Sequence, residues 1–233
     1  MTDTSHAFFA TDCLRRTELY RWFAGLLASR LDPALLSAYR KGPGRAVLDN
    51  LAADPALRPG ASRMEAALDA GGDDAAVAKA LGRDFAALFD GGRVSPRASD
   101  WLSDRDGAGD AGAEADTNGT DALIGNRDHV AVLLDLMAQL VEAALEEWRS
   151  VGGSPTGALM AASWRRQAGF LDRHLLSWLP AFRDACAEHD RDGFYAGVTL
   201  LLTAYVLLDR ALVAEAEAAC AAAAPRMTGS DTP

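Results

Sequence analysis

The stretch HVAVLLDLMAQLVEAALEEW, residues 129–148, constrains this chain more than any other. Val130, Leu133, Leu134, Met137, Leu140, Val141, Ala144, Leu145 and Trp148 fall at the three-four spacing of a helix that keeps one face apolar for about five turns. A face of that length has to be covered by other elements, so the question becomes what the rest of the chain offers.

It offers more helices. Leu19, Trp22, Phe23, Leu26 and Leu27 form a second apolar stripe that stops near Asp32-Pro33. A helix is expected from Pro33 toward Asn50, interrupted or ended at KGPG (41–44). A short one fits 62–69, between Pro59 and Gly71-Gly72. Val77, Leu81, Phe85, Leu88 and Phe89 share one side over 73–90. Beyond the break at VGGSPTG (151–157), helices are predicted over about 158–178, 181–189 and 194–223. Alanine and leucine dominate and aromatic residues make up only 7%, which favours helix over sheet. No strand pattern or internal repeat stands out. The expectation is an all-α helical bundle of about eight to ten helices. Its N-terminal half is 1–103, a linker or insertion covers 104–125, the C-terminal half is 126–223, and 224–233 is a disordered tail. The Gly-, Asp- and Ala-rich span 91–125 is long for a loop inside a compact domain, and its middle, 104–120, is expected to be mobile.

Charge narrows the partners. A formal net charge of −10 repels nucleic acid and anionic membrane surfaces and attracts basic peptides. Cys13, Cys186 and Cys220 are far apart and match no metal spacing, which fits a reducing compartment. The N-terminus MTDTSHAFFATDC lacks the basic and apolar regions of a secretory signal. The longest apolar run, GVTLLLTAYVLL (197–208), is shorter than the roughly 20 residues a membrane span needs. A soluble cytoplasmic protein with no membrane span is the expectation.

Asp128 and His129, at the start of the long stripe, admit three readings. As neighbours on a helix their side chains diverge by about 100°, which is wrong for a base and its orienting acid. A metal site would want a ligand three or four residues on, where Val132 and Leu133 stand. The third reading is helix capping, with Asn126 as N-cap and Asp128 in the first turn at the positive end of the helix dipole. His6, His174 and His189 have no partners at ligand spacing. GGDD (71–74) and GAGDAGA (107–113) do not lie between a strand and a helix, so no phosphate cradle is expected. No serine or cysteine sits in a nucleophile elbow. No catalytic or metal-binding residue is therefore assigned. Trp101, just after SPRAS, is either a plug packed on the bundle or one wall of a groove for a peptide.

In order along the chain, LYRWFAGLLASRLDPALLSAY (19–39), RDFAALF (83–89) with SPRASDW (95–101), DHVAVLLDLMAQL (128–140) and SWLPAFRDACAEHDRDGFYAGVTLLL (177–202) resemble the TorD/DmsD family of redox-enzyme maturation chaperones. The likeness covers about 14–208, apart from 104–120. The family motif Glu-Pro-x-Asp-His keeps only Asp128 and His129 here, with Gly125 and Asn126 in place of Glu and Pro.

The resemblance implies a cytoplasmic chaperone for a molybdoenzyme exported by the twin-arginine route. It would bind the client's signal peptide and cofactor-free body until the molybdenum cofactor is inserted. Trimethylamine-N-oxide reductase is the implied client, with dimethyl-sulfoxide or nitrate reductase as the alternative. The implied signal-peptide site comprises Asp128, His129, Ser99, Trp101 and Asn126, beside an apolar cleft left open near the helix that starts at 128. No resident cofactor is implied beyond weak GTP binding, and the long loop suggests a homodimer made by exchange of halves. A GTP-hydrolysing enzyme and a plain helical scaffold are the rivals from other classes.

Overall fold

The computed structural model describes residues 3–102, 128–150, 158–190 and 193–223, so the expected linker 104–125, Asn126 and the tail 224–233 lie outside the described residues. Its elements are α1 (Asp3–Ala28), α2 (Pro33–Lys41), α3 (Pro43–Ala53), α4 (Arg58–Leu68), α5 (Asp74–Phe85), α6 (Ser99–Leu102), α7 (Val130–Ser150), α8 (Ala158–Phe170), α9 (Leu179–His189) and α10 (Phe194–Ala223). Two of them run on as wider π-helical turns, α5 through Ala86–Asp90 and α8 through Leu171–Leu176. Among the described residues there is no strand, only one isolated antiparallel bridge between Arg97 and His129. The all-α bundle expected from the apolar spacing is what forms.

The chain's own punctuation sets most boundaries. Asp32 caps α2 by accepting from the Leu35 amide at 2.7 Å, and Pro33 occupies the first turn, where its missing N–H is not needed. The KGPG break separates α2 from α3 at an extended Gly42. Asp73 caps α5 through the Ala76 amide at 2.8 Å. Asp190 caps α10 through the Ala196 amide at 2.7 Å, after a turn in which Gly193 takes a left-handed φ of 83°. α4 starts earlier than the expected 62, because Pro59 sits in its first turn and opens the helix.

The most extensive packings join one half of the chain to the other: α1 lies against α7, and α4 against α10. The α4–α10 crossing is tight because two glycines face it. A Cβ on Gly60 would stand 2.5 Å from the Leu201 amide nitrogen, and one on Gly197 would stand 2.8 Å from the Met64 nitrogen. The two backbones therefore touch directly.

α1 carries a polar pin through the core. Arg16 and Asp209 are 5% and 4% exposed. Arg16 donates to Asp209 through Nε at 2.5 Å and Nη2 at 3.0 Å, and its Nη2 also reaches Gln167 Oε1 at 2.7 Å. The Tyr20 hydroxyl donates to Asp209 Oδ2 at 2.6 Å, and the Trp164 ring lies 5.6 Å below the guanidinium carbon.

α10 corrects one expectation. Counting consecutive apolar residues stopped at about a dozen, but the helix continues, and Phe194–Ala222 is long and apolar enough, by length and composition, to cross a membrane, at a mean hydropathy of 1.6. Of its most apolar window, 61% is buried by the protein itself, against α4, α8 and α9.

Candidate functional site

The SPRASDW stretch is drawn onto the start of α7 by backbone pairing. Val94 is fully buried, and its amide donates to the Leu88 carbonyl at 2.9 Å, which fixes where the segment leaves α5. Ala98 then donates to the Asp128 carbonyl at 2.9 Å, and Val130 donates to the Pro96 carbonyl at 2.8 Å. Ser99 and Trp101 on one side, and Asp128 and His129 on the other, are thereby brought together from about thirty residues apart.

Asp128 closes this junction. Its carboxylate accepts from Arg97 Nη1 at 2.9 Å, from the Ser99 amide at 3.3 Å and, at short range, from the Ser99 hydroxyl. Burial alone would raise its proton affinity, but the Ser99 and Arg97 donors outweigh it and hold Asp128 below the usual carboxylate range. The residue lies before α7 and ties in the first amide of α6, so it is not in the first turn of its own helix.

His129 is the N-cap of α7. Its carbonyl accepts from Val132 at 2.9 Å and Leu133 at 3.0 Å, and its Nδ1 accepts from the Ala131 amide at 3.2 Å. A cap of this kind requires the neutral ring with its proton on Nε2. Burial and the neighbouring Arg97 charge both push the imidazole below its ordinary value, with Asp128 opposing. The expected capping by Asn126 is corrected: α7 begins at Val130, so its N-cap is His129, three residues after Asn126.

A pH dependence follows. Both groups have folded-state values below their unfolded ones, so each stabilises the fold above its unfolded value and loses that contribution as pH falls. For His129 the loss begins below about 6.5, and for Asp128 below about 3.8. Thermal unfolding between pH 7 and 5 is expected to show a fall that His129→Asn lacks, because asparagine caps without titrating in this range. Identical pH slopes in the two proteins would remove His129 from the cap.

Trp101 is packed as a plug. Its Nε1 donates to the Ser95 carbonyl at 2.9 Å, and its ring meets Phe182 edge-on at 6.2 Å. Phe182 continues to Phe89 at 6.1 Å and to Trp178 at 5.5 Å, and Phe89 to Tyr195 at 5.6 Å. The Ser95 hydroxyl is tied back to Asp100, so the loop reinforces itself. Half-exposed Trp101 is the outer end of an aromatic column that runs into the core.

The apolar cleft expected beside 128 borders residues 103–127, which lie outside the described residues. Arg97 and Ser99 cover the carboxylate there. Two shallow depressions lie along α1. One, of about 400 Å³, is lined by Leu14, Leu145 and Arg149 among others; the second, of about 310 Å³, is lined by Phe9, Arg16, Trp164 and Leu212 among others. Leu145 is fifteen residues along α7 from Val130, roughly 22 Å at 1.5 Å per residue. Exposed leucines occur on α10 at 207, 208 and 212. The partners of Asp128 and the anchoring role of Phe182 had no local signal, because they depend on pairing across the chain.

Among the described residues no three His, Cys, Asp or Glu side chains are grouped to hold a metal. Burial raises the Cys13 thiol to about 11 and the Cys186 thiol to about 12, so both are poor nucleophiles.

Residues 51–184 match the family model described as nitrate reductase delta subunit. The chain is 32% identical over 209 residues to the chaperone protein TorD of Aliivibrio fischeri, covering 84% of this chain and 93% of that protein. It is 32% identical over 210 residues to the chaperone protein TorD of Vibrio vulnificus, with the same coverage of each. Over 212 residues it is 24% identical to the chaperone protein TorD of Vibrio cholerae, covering 84% of this chain and 90% of that one.

Proposed function

The chain belongs to the TorD family of chaperones, and from that membership we propose that it is a cytoplasmic chaperone that binds the twin-arginine signal peptide and cofactor-free body of an exported molybdoenzyme. The observation that carries this is the similarity to TorD chaperones along almost their whole length. Its relatives are chaperones, which sets the GTP-hydrolysing alternative aside. Trimethylamine-N-oxide reductase is the proposed client. A nitrate reductase is the second reading, favoured by the description of the matching family model.

The forces available decide how such a peptide is held. Exposed ion pairs are worth roughly 0–1 kcal/mol each. Burying a leucine-sized side chain gives about 1.5–3 kcal/mol before ordering costs. A micromolar complex needs about −8 kcal/mol, so apolar burial carries the affinity, while the charge of −10 steers the arginines in. Asp128, His129, Ser99 and Trp101 are the proposed contacts, and Asn126 is proposed beside them. A weak, non-hydrolytic guanine-nucleotide site and a homodimer made by exchange of halves belong to the proposal on the family resemblance and the long 91–125 span.

The test is calorimetric titration of the signal peptide of trimethylamine-N-oxide reductase, with those of nitrate and dimethyl-sulfoxide reductases run alongside. The wild type is expected to bind one of them at micromolar Kd. The pair Asp128→Ala and His129→Ala is expected to weaken it about tenfold, the loss of about 1.4 kcal/mol of contact. Unchanged affinity in that double variant would remove the two residues from the site.

A further inference from the structure

The two oxygens of Asp128 have different partners. Oδ2 accepts from the Ser99 amide and hydroxyl, an attachment within the fold. Oδ1 accepts from the Arg97 guanidinium at 2.9 Å. The Asp128 side chain is 18% exposed and that of Arg97 is 56% exposed, so the ion pair sits at the surface with its arginine largely in water. The backbone bridge on either side is made by Ala98 with Asp128 and by Val130 with Pro96, and none of it uses the Arg97 side chain. The guanidinium can therefore swing away while the junction holds.

We propose that Arg97 is an internal stand-in for a client arginine: it occupies Asp128 Oδ1 in the free protein and is displaced when the client's guanidinium arrives. This rests on the client-binding role given to Asp128 under the proposed function. The exchange replaces one guanidinium–carboxylate pair by another, so it is close to neutral, and exposed pairs are weak to begin with. What tips it is the apolar segment behind the client arginine. A peptide with arginine alone does not displace Arg97, and an apolar peptide without arginine gains nothing from vacating it. The contact makes the site selective for the combination, and keeps a carboxylate in an acidic protein from collecting unrelated cations.

The test uses a synthetic peptide with two consecutive arginines followed by a leucine-rich segment, titrated into the full-length protein. Arg97→Gln is expected to bind it about three- to fivefold more tightly than wild type, the most that releasing an exposed pair provides. Arg93→Gln, which removes an equal charge from an exposed position four residues away, is the control for long-range electrostatics and is expected to change affinity less than twofold. In an Asp128→Asn background, Arg97→Gln is expected to give no gain. Arg97→Lys keeps the charge without the planar fork and falls between wild type and Arg97→Gln.

If binding depends on Asp128 but Arg97→Gln is no tighter than wild type, or no tighter than Arg93→Gln, the stand-in is overturned while the client-binding role survives. A gain that persists in the Asp128→Asn background also overturns it. If the peptide fails to bind any form, the client-binding role falls and the stand-in falls with it.

Discussion

Asp209→Ala is expected to lower the folding free energy by about 3–5 kcal/mol, the range for removing one partner of a buried ion pair. Three donors converge on this carboxylate: Arg16 Nε, Arg16 Nη2 and the Tyr20 hydroxyl. Arg16 Nη1, Gln167 Nε2 and the Tyr205 hydroxyl are already buried without a hydrogen-bond partner among the described residues, so the neighbourhood has donors to spare and few acceptors. Without Asp209, a guanidinium 5% exposed keeps only the Gln167 oxygen and the face of Trp164. Domains of this kind are stable by about 5–15 kcal/mol, so the loss is at least about a fifth of the total. Replacing both members by apolar residues, Arg16→Met with Asp209→Leu, is expected to cost much less, because no buried charge is left alone. Urea unfolding of the two variants measures both. A cost below about 1 kcal/mol for Asp209→Ala would show that water reaches the guanidinium in the folded state.

The second large effect is steric, and intrinsic propensity predicts the opposite sign. Alanine is favoured over glycine inside a helix by about 1 kcal/mol, so Gly60→Ala in α4 should stabilise if nothing faced the site. What faces it is the α10 backbone: a Cβ there would stand 2.5 Å from the Leu201 nitrogen and 2.6 Å from its Cα. Those atoms cannot turn away as a side-chain tip would, so the helices must separate. Overpacking costs about 1–3 kcal/mol, and a backbone obstacle puts this case at the upper end, a net loss of about 2–3 kcal/mol or more. Gly25→Ala in α1 is the matching control, since nothing lies within 4 Å of its would-be Cβ. It is expected to leave the melting temperature unchanged or raise it. If Gly60→Ala melts no lower than Gly25→Ala, α4 and α10 are not in backbone contact.

These two features also mark where the sequence stopped being legible. The long apolar stripe gave α7, and Pro33, Asp73 and the KGPG break gave helix ends, because those signals are local. α1 was visible only from Leu19, since its earlier turns face the core with Arg16 and Thr17, buried polar residues that interrupt an apolar count. The partner of Arg16 is 193 residues away, and no spacing rule reaches that far. At the candidate site, a cap at the start of α7 was foreseeable from an acid, an imidazole and an asparagine before an apolar run. Which residue caps was not, because the bridge to Pro96 and Ala98 sets the last extended position at His129. Arg97 likewise reads as an ordinary surface charge until the fold lays it on Asp128.

The pin from Arg16 to Asp209 has a consequence for how the chain is made. A ribosome delivers residues in order at roughly 5–20 per second, so Arg16 emerges about 10–40 s before its counter-charge exists. For most of that interval α4, once made, also lacks the helix its glycine is shaped to meet. The newborn N-terminal helices can coil early, but the core cannot lock until α10 has been made, so the first half of the fold waits on the second.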